Sequence, residues 1–132
     1  MIVFADTFAL IAWLNPRDDA HAVVAEYLDG FTGRLLTTEW VLMKLADALS
    51  APEARSTAVA FLEAVRADPL FEVVGYLSTV YEGGFALFAN RPDKAWSLTD
   101  CISFGVMTER SVSEALTADH HFEQAGFRAV FK

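Results

Sequence analysis

The stretch Trp96–Phe122, WSLTDCISFGVMTERSVSEALTADHHF, decides how the rest of the chain is read. Its pattern predicts a helix start over Ser97–Asp100, a helix to about Arg110, a short strand Ala115–Ala118, and a further helical turn opened by Asp119. Asp100 and Asp119 therefore fall at element ends. Asp6 does the same after the apolar run Ile2–Ala5 at the start of the chain. If those strands run parallel in one sheet, the two strand-end acids emerge at its carboxyl edge, where open parallel sheets bind ligands at the reversal of strand order. Asp100, at a helix start, can face the same crevice. Carboxylates gathered about 3–4 Å apart require protons or a cation, because they cannot all remain ionised alone.

Working outward, strands alternate with helices along the whole chain. Met1–Ala5 suits a strand buried on both faces. A helix Phe8–Leu14 stops at Asn15-Pro16, and Asp18 or Asp19 is placed to cap a second, His21 to about Leu28. Leu35–Thr37 reads as a strand. Thr38 caps a helix Glu39–Leu49 with Val41, Leu42, Leu45 and Leu49 on one stripe. Pro52 opens another over Glu53–Ala67, ended by Asp68-Pro69. Phe71–Gly75 is a third strand, Leu77–Ala89 a helix interrupted by Gly83-Gly84, and Phe127–Phe131 a closing strand whose alternation fits a sheet edge. The expected fold class is α/β, with a mainly parallel sheet flanked by helices.

Totals bound the function. At 132 residues the chain is expected to form a single domain, residues 1–132. Apolar residues make up 54%, with eleven Phe, enough for a substantial core. The net charge of −8, from 18 acids and 10 bases, argues against broad electrostatic capture of nucleic acid. It leaves room for binding through a metal or a few local cations, of which Arg17, Arg34, Arg91 and Lys94 are candidates. The single cysteine, Cys101, excludes an internal disulfide and a thiolate cage, and its apolar neighbours suit a buried role. No signal peptide pattern and no apolar run of about 18 residues is visible, so a cytoplasmic location without membrane contact is expected.

Each acid also has a local explanation. Asp6 and Asp119 could cap the helices that follow them, and Asp100 could be the acidic arm of a Ser-x-x-Asp capping box begun at Ser97. The joint pattern favours a site, and its chemistry is that of hard cations: Mg2+ or Mn2+, which take carboxylate and phosphate oxygens and water. No His pair is spaced for zinc on one helical face; His120 and His121 are adjacent and expected to point apart at the rim, and His21 is isolated. Trp13, Trp40 and Trp96 read as core or interface residues rather than base-stacking platforms.

Four segments, VFADTFALIAWL, LLTTEWVL, WSLTDCISF and ALTADHHFEQAGF, occur in the order and separations of one known family. Through them the chain resembles PIN-domain proteins, specifically VapC-type toxin ribonucleases of toxin–antitoxin pairs. The resemblance implies a PIN-like three-layer fold with a five-stranded parallel sheet, an Mg2+ site at its carboxyl edge, and endonucleolytic cleavage of RNA. It places catalytic acids at Asp6, Asp100 and Asp119, with Asp6 and Asp100 as metal ligands and Asp119 completing the site through a water or second ion. Hydroxyls at Thr7 and Thr99 fall beside the metal. Homodimerisation is implied, together with a cognate antitoxin that covers the site; an acidic pocket would suit an inserted Arg.

One position departs from the family pattern. Where a glutamate is usual on the helix after the second strand, this chain has Lys44, at the edge of the Val41/Leu45 stripe. Lys44 could stand in for a second cation, Asp47 or Glu39 could supply the missing carboxylate, or the chain could be a weakened or inactive scaffold that only binds RNA or antitoxin. A phospho-acceptor receiver domain, of similar length, would need an acidic pair after the first strand and an acceptor Asp after the third. Asp6 stands alone and the third strand ends at Gly75-Tyr76.

Overall fold

A computed structural model describes all of residues 1–132. Five strands, β1 (Ile2–Ala5), β2 (Arg34–Thr38), β3 (Phe71–Val74), β4 (Glu114–Leu116) and β5 (Arg128–Ala129), form one sheet in the order β3-β2-β1-β4-β5. Every pairing is parallel, with Phe4 opposite Leu36 on one side and Ala5 opposite Leu116 on the other. Val3, Phe4 and Ala5 in β1, and Leu35, Leu36, Thr37 and Thr38 in β2, are all fully buried. Successive strand residues point to opposite faces, so both faces of the sheet centre are covered and the fold has three layers. This is the expected α/β, PIN-like arrangement. β3 and β5 are the sheet edges.

The helices are α1 (Thr7–Leu14), α2 (His21–Asp29), α3 (Glu39–Ala48), α4 (Pro52–Val65), α5 (Ser78–Asn90), α6 (Leu98–Glu109) and α7 (His120–Gln124). Several boundaries follow their local chemistry. The Thr38 hydroxyl accepts the Val41 N–H at 3.1 Å, as its place before α3 predicts. Pro52 stands in the first turn of α4, where its missing N–H costs nothing. Asp18 does not cap α2; its carboxylate accepts the Ala20 N–H in an Asx turn, and Ala20 precedes the helix.

Gly83-Gly84 does not break α5. A Cβ at Gly84 would lie 2.3 Å from Ile102 Cγ1 and 2.7 Å from Ile102 Cα, so the missing side chain lets α5 press against the backbone of α6. Gly83 faces open space. The closing strand is shorter than its alternation suggests, only Arg128–Ala129, although the Val130 and Phe131 N–H groups still bond to the Ala115 and Thr117 carbonyls.

The core runs from the sheet into α1, α3, α6 and α7. Phe104 on α6 meets Phe122 on α7 edge to face at 4.9 Å, and Phe122 lies 6.5 Å from Phe4 on β1. Trp96 is buried, with its indole N–H on Gln124, and Cys101 is buried as expected. These contacts tie the start of α6 and the start of α7 to the end of β1, which sets where the three acids stand.

Candidate metal centre at the carboxyl edge

The sheet reverses direction of progression between β1 and β4. β1 leads outward to β2 and β3 on one side; β4 and β5 lie on the other. Asp6 follows β1 directly, and Asp119 lies three residues past β4. Both acids thus stand at the carboxyl edge beside the switch point.

Asp6 occupies the N-cap position of α1 without capping it. Its backbone carbonyl accepts the first helical bonds, from Ala9 and Leu10, while its carboxylate turns to β4 and accepts the Thr117 hydroxyl at 3.0 Å. The side chain is 8% exposed. Burial pushes its carboxyl up to about 6; the Asp100 charge adds to the rise, while hydrogen bonds from the Thr7 backbone and Thr117 and the Lys44 charge work against it.

Asp100 and Asp119 both cap the helices they open, and neither cap uses the whole carboxylate. Asp100 Oδ2 accepts the Ser97 N–H at 3.2 Å, and Ser97 Oγ accepts the Asp100 N–H at 3.0 Å, a complete capping box. Asp119 Oδ1 accepts the His121 N–H at 2.9 Å and so caps α7. Each cap engages one oxygen, leaving Asp100 Oδ1 and Asp119 Oδ2 without a hydrogen bond from the protein. Capping fixes the rotamer; the second oxygen remains available to a ligand.

Thr117, which the sequence does not single out, and His121, expected at the rim, stand beside the acids. Thr117 is fully buried, and its single hydroxyl donates to Asp6 while accepting the Asp119 N–H at 3.1 Å. The hydroxyl in ALTAD, two places before the acid, is the signal that could have found it. His121 Nδ1 lies 3.5 Å from Asp100 Oδ2 and 3.4 Å from Asp119 Oδ1. His120 and His121 do not point apart as expected: their ring centroids are 4.4 Å apart. His120 is exposed and His121 half-buried.

The supporting residues divide. Thr7 is buried beside Asp6, and its hydroxyl has no protein partner. Thr99 is half-buried next to Asp100. Lys44 is exposed and has no carboxylate within salt-bridge distance, and its charge is the weakest of the influences on Asp6. Neither substitute acid fits. Glu39 is paired with Arg66, and Asp47 is exposed and absent from the charges acting on Asp6. His21 bonds to the Ala12 carbonyl at 2.7 Å, a structural role.

The donor set suits a hard cation. Two buried carboxylates, one with its proton held up to about 6, and an orphaned buried hydroxyl at Thr7 offer only oxygen. The three acids do not bring ligand atoms within a single 4.8 Å group; the residues that do are Asp119, His120 and His121. Asp6 and Asp100 are buried and Asp119 half-buried at this edge. The largest cavity, about 490 Å³, lies between Leu14–Arg17 and Leu49–Thr57 and contains none of them.

Candidate phosphate-binding cations are mostly engaged elsewhere. Arg34 begins β2, at the amino edge opposite the acids, and bonds to the Pro69 and Phe71 carbonyls and to Glu72. Arg91 grips Asp93 with two bonds of 3.0 Å and lies 5.1 Å over the Trp96 ring. Arg17 is exposed beside the large cavity, and Lys94 is half-buried before α6. Trp13 packs on Phe71 and Trp40 on Tyr76, as core and interface residues do.

The sequence of residues 3–128 matches the PIN domain. The chain belongs to the PIN domain family. No curated protein matches it by sequence. This PIN domain has the fold of VapC20 from Mycobacterium tuberculosis, described as a sarcin–ricin loop cleaving toxin, with a TM-score of 0.89 at 24% identity over 98% of both chains. It is also similar to FitAcB from Neisseria gonorrhoeae, with a TM-score of 0.68 at 17% identity over 98% of this chain and 96% of that one. VapBC2 from Rickettsia felis, solved with a DNA fragment from its promoter, gives 0.66 at 14% identity over the same shares. No helix of this PIN domain is long and apolar enough to cross a membrane.

Proposed function

We propose that this PIN domain is a metal-dependent endoribonuclease, the VapC-type toxin of a toxin–antitoxin pair, working as a single domain in the cytoplasm. The observation that carries the reading is Asp6: an acid buried without a cationic contact, held by Thr117 at the switch point and close enough to Asp100 to feel its charge. A polypeptide keeps such a carboxylate at a cost unless a ligand offsets it.

In this reading Asp6 and Asp100 hold Mg2+ or Mn2+, with Thr7 and Thr99 presenting hydroxyls alongside. The bound cation would polarise the phosphoryl oxygens and favour ionisation of the attacking water. Asp119, fixed by its cap, turns its free oxygen to orient that water in line with the scissile bond. Lys44 offers its ammonium to the substrate phosphate from the α3 side, where a glutamate would have recruited a further ion; the site is then a one-metal site. A site at the sheet's carboxyl edge suits a polymer that must enter sideways. It also suits an Arg from an antitoxin, which would bond the same carboxylates and block them. The active form is a homodimer.

Lys44 also favours a second reading, a PIN scaffold that binds RNA or antitoxin without cutting. An RNA cleavage assay with Mg2+ or Mn2+ on the wild type, Asp6→Asn and Lys44→Glu separates the two. Cleavage by the wild type that is lost in Asp6→Asn establishes the nuclease. A silent wild type with an active Lys44→Glu variant establishes the scaffold.

A further inference from the structure

Beside the carboxylates lies a second donor set of different chemistry. Asp119, His120 and His121 each offer a ligand atom, all within 4.8 Å of one another. His120 Nδ1 is 3.7 Å and His121 Nδ1 3.4 Å from the same oxygen, Asp119 Oδ1, whose cap to the His121 N–H uses one lone pair and leaves the other for a cation. Ligands about 2.0–2.1 Å from a tetrahedral Zn2+ stand about 3.4 Å from each other, so these spacings match the edges of such a shell. His121 Nδ1 is moreover a buried atom with no hydrogen-bond partner. A nitrogen lone pair facing a carboxylate oxygen at this distance repels it unless a proton or a cation lies between them. His120, largely exposed, leaves the outer side open for water or a substrate oxygen.

We propose that Asp119, His120 and His121 form a binding site for a borderline divalent cation of the Zn2+ and Co2+ class, on the rim of the acidic crevice. Imidazole nitrogens favour these ions, whereas all-oxygen sets suit Mg2+. The site shares Asp119 with the carboxylate set but not Asp6, so the two are separable by substitution. Its three protein ligands and open position are the arrangement of zinc sites that exchange ligands. The surrounding acids, in a chain of net charge −8, raise the local cation concentration. The inference does not rest on the nuclease reading, because it concerns metal binding in the absence of RNA.

The test is a Co2+ titration of the whole chain, freed of metal by a chelator, followed by visible absorption. A single Co2+ is expected, with the strong bands of low coordination and a spectrum insensitive to excess Mg2+. His120→Ala alters an exposed side chain and leaves the fold intact; it should weaken Co2+ binding at least about tenfold, with His121→Asn as the companion. Asp6→Asn should leave Co2+ binding in place. The proposal is overturned if the wild type takes up no Co2+, if Mg2+ displaces it, if His120→Ala binds as the wild type does, or if Asp6→Asn loses binding as fully as His121→Asn.

Discussion

Asp6 and Thr117, 111 positions apart in sequence, share a buried hydrogen bond of 3.0 Å. Because the same hydroxyl accepts the Asp119 N–H, its only proton is directed at Asp6. One side chain therefore ties the Asp6 carboxylate to the Asp119 backbone, each acid following one of two neighbouring strands. Thr117→Val keeps the shape and removes both bonds. It should destabilise the chain by about 1–3 kcal/mol, the cost of leaving a buried acceptor and an N–H without partners. Thr117→Ser should stay near wild type. Urea denaturation of the two variants checks this, and Mg2+ titration should show weaker binding in the valine variant alone.

The Asp6 carboxyl makes the metal-free protein pH-dependent. Its value is raised from 3.8 to about 6 by burial first and by Asp100 among the lesser causes. The folded state therefore binds this proton more tightly than the unfolded state does. Its contribution is full below about pH 4, falls as pH rises through the window from 3.8 to about 6, and is a constant penalty above. The gap corresponds to roughly 3 kcal/mol as an order of magnitude. Asp6→Asn carries no charge and should melt higher than wild type at pH 7.5, with the difference closing toward pH 4. Thermal melts at both pH values, without metal, decide it; equal differences at both would remove Asp6 as the cause.

Lys44 is the cation that acts on Asp6 from α3. Lys44→Glu reverses that influence, so the metal-free chain should lose stability at neutral pH while Mg2+ binding strengthens. Calorimetric titration in parallel with the wild type measures the change. An unaltered affinity would place Lys44 outside the crevice.

The two glycines of α5 should respond in opposite directions. Gly83→Ala fills open space and improves helix propensity, a gain of about 0.5–1 kcal/mol. Gly84→Ala drives a Cβ into the Ile102 side chain and backbone and should cost about 1–3 kcal/mol or more. Because Asp100 lies in the first turn of α6, that separation should also lower metal affinity. Denaturation midpoints of both variants test the pair.

Local signals carried most of the fold. Apolar runs ending at Asp6 and before Asp119, the Thr38 cap, Pro52 and the Ser97 box each act within a few residues, and each stands where its chemistry placed it. Relationships across the sheet were not legible. The Thr117 hydroxyl matters through a strand more than a hundred residues earlier, and the His121 ring lies between two carboxylates that periodicity does not bring together. Arg34 shows the converse. Its charge was visible, but only strand direction reveals that it emerges at the opposite edge from the acids. Capping and ligand binding look like alternatives at Asp100 and Asp119 in the sequence, whereas a carboxylate has two oxygens and can serve both needs.

The borders of the sheet bear on how this chain meets others. β5 presents only two residues, and β3 carries Glu72 in mid-strand, clamped by Arg34 and Arg110. A foreign peptide would find almost no ladder to extend at one border and a charge cluster with one cation in excess in the way at the other. Recognition by strand addition is thereby discouraged on both flanks. Whatever binds this molecule must grip its helices or reach into its acidic mouth, and the mouth alone offers chemistry that a rival can imitate.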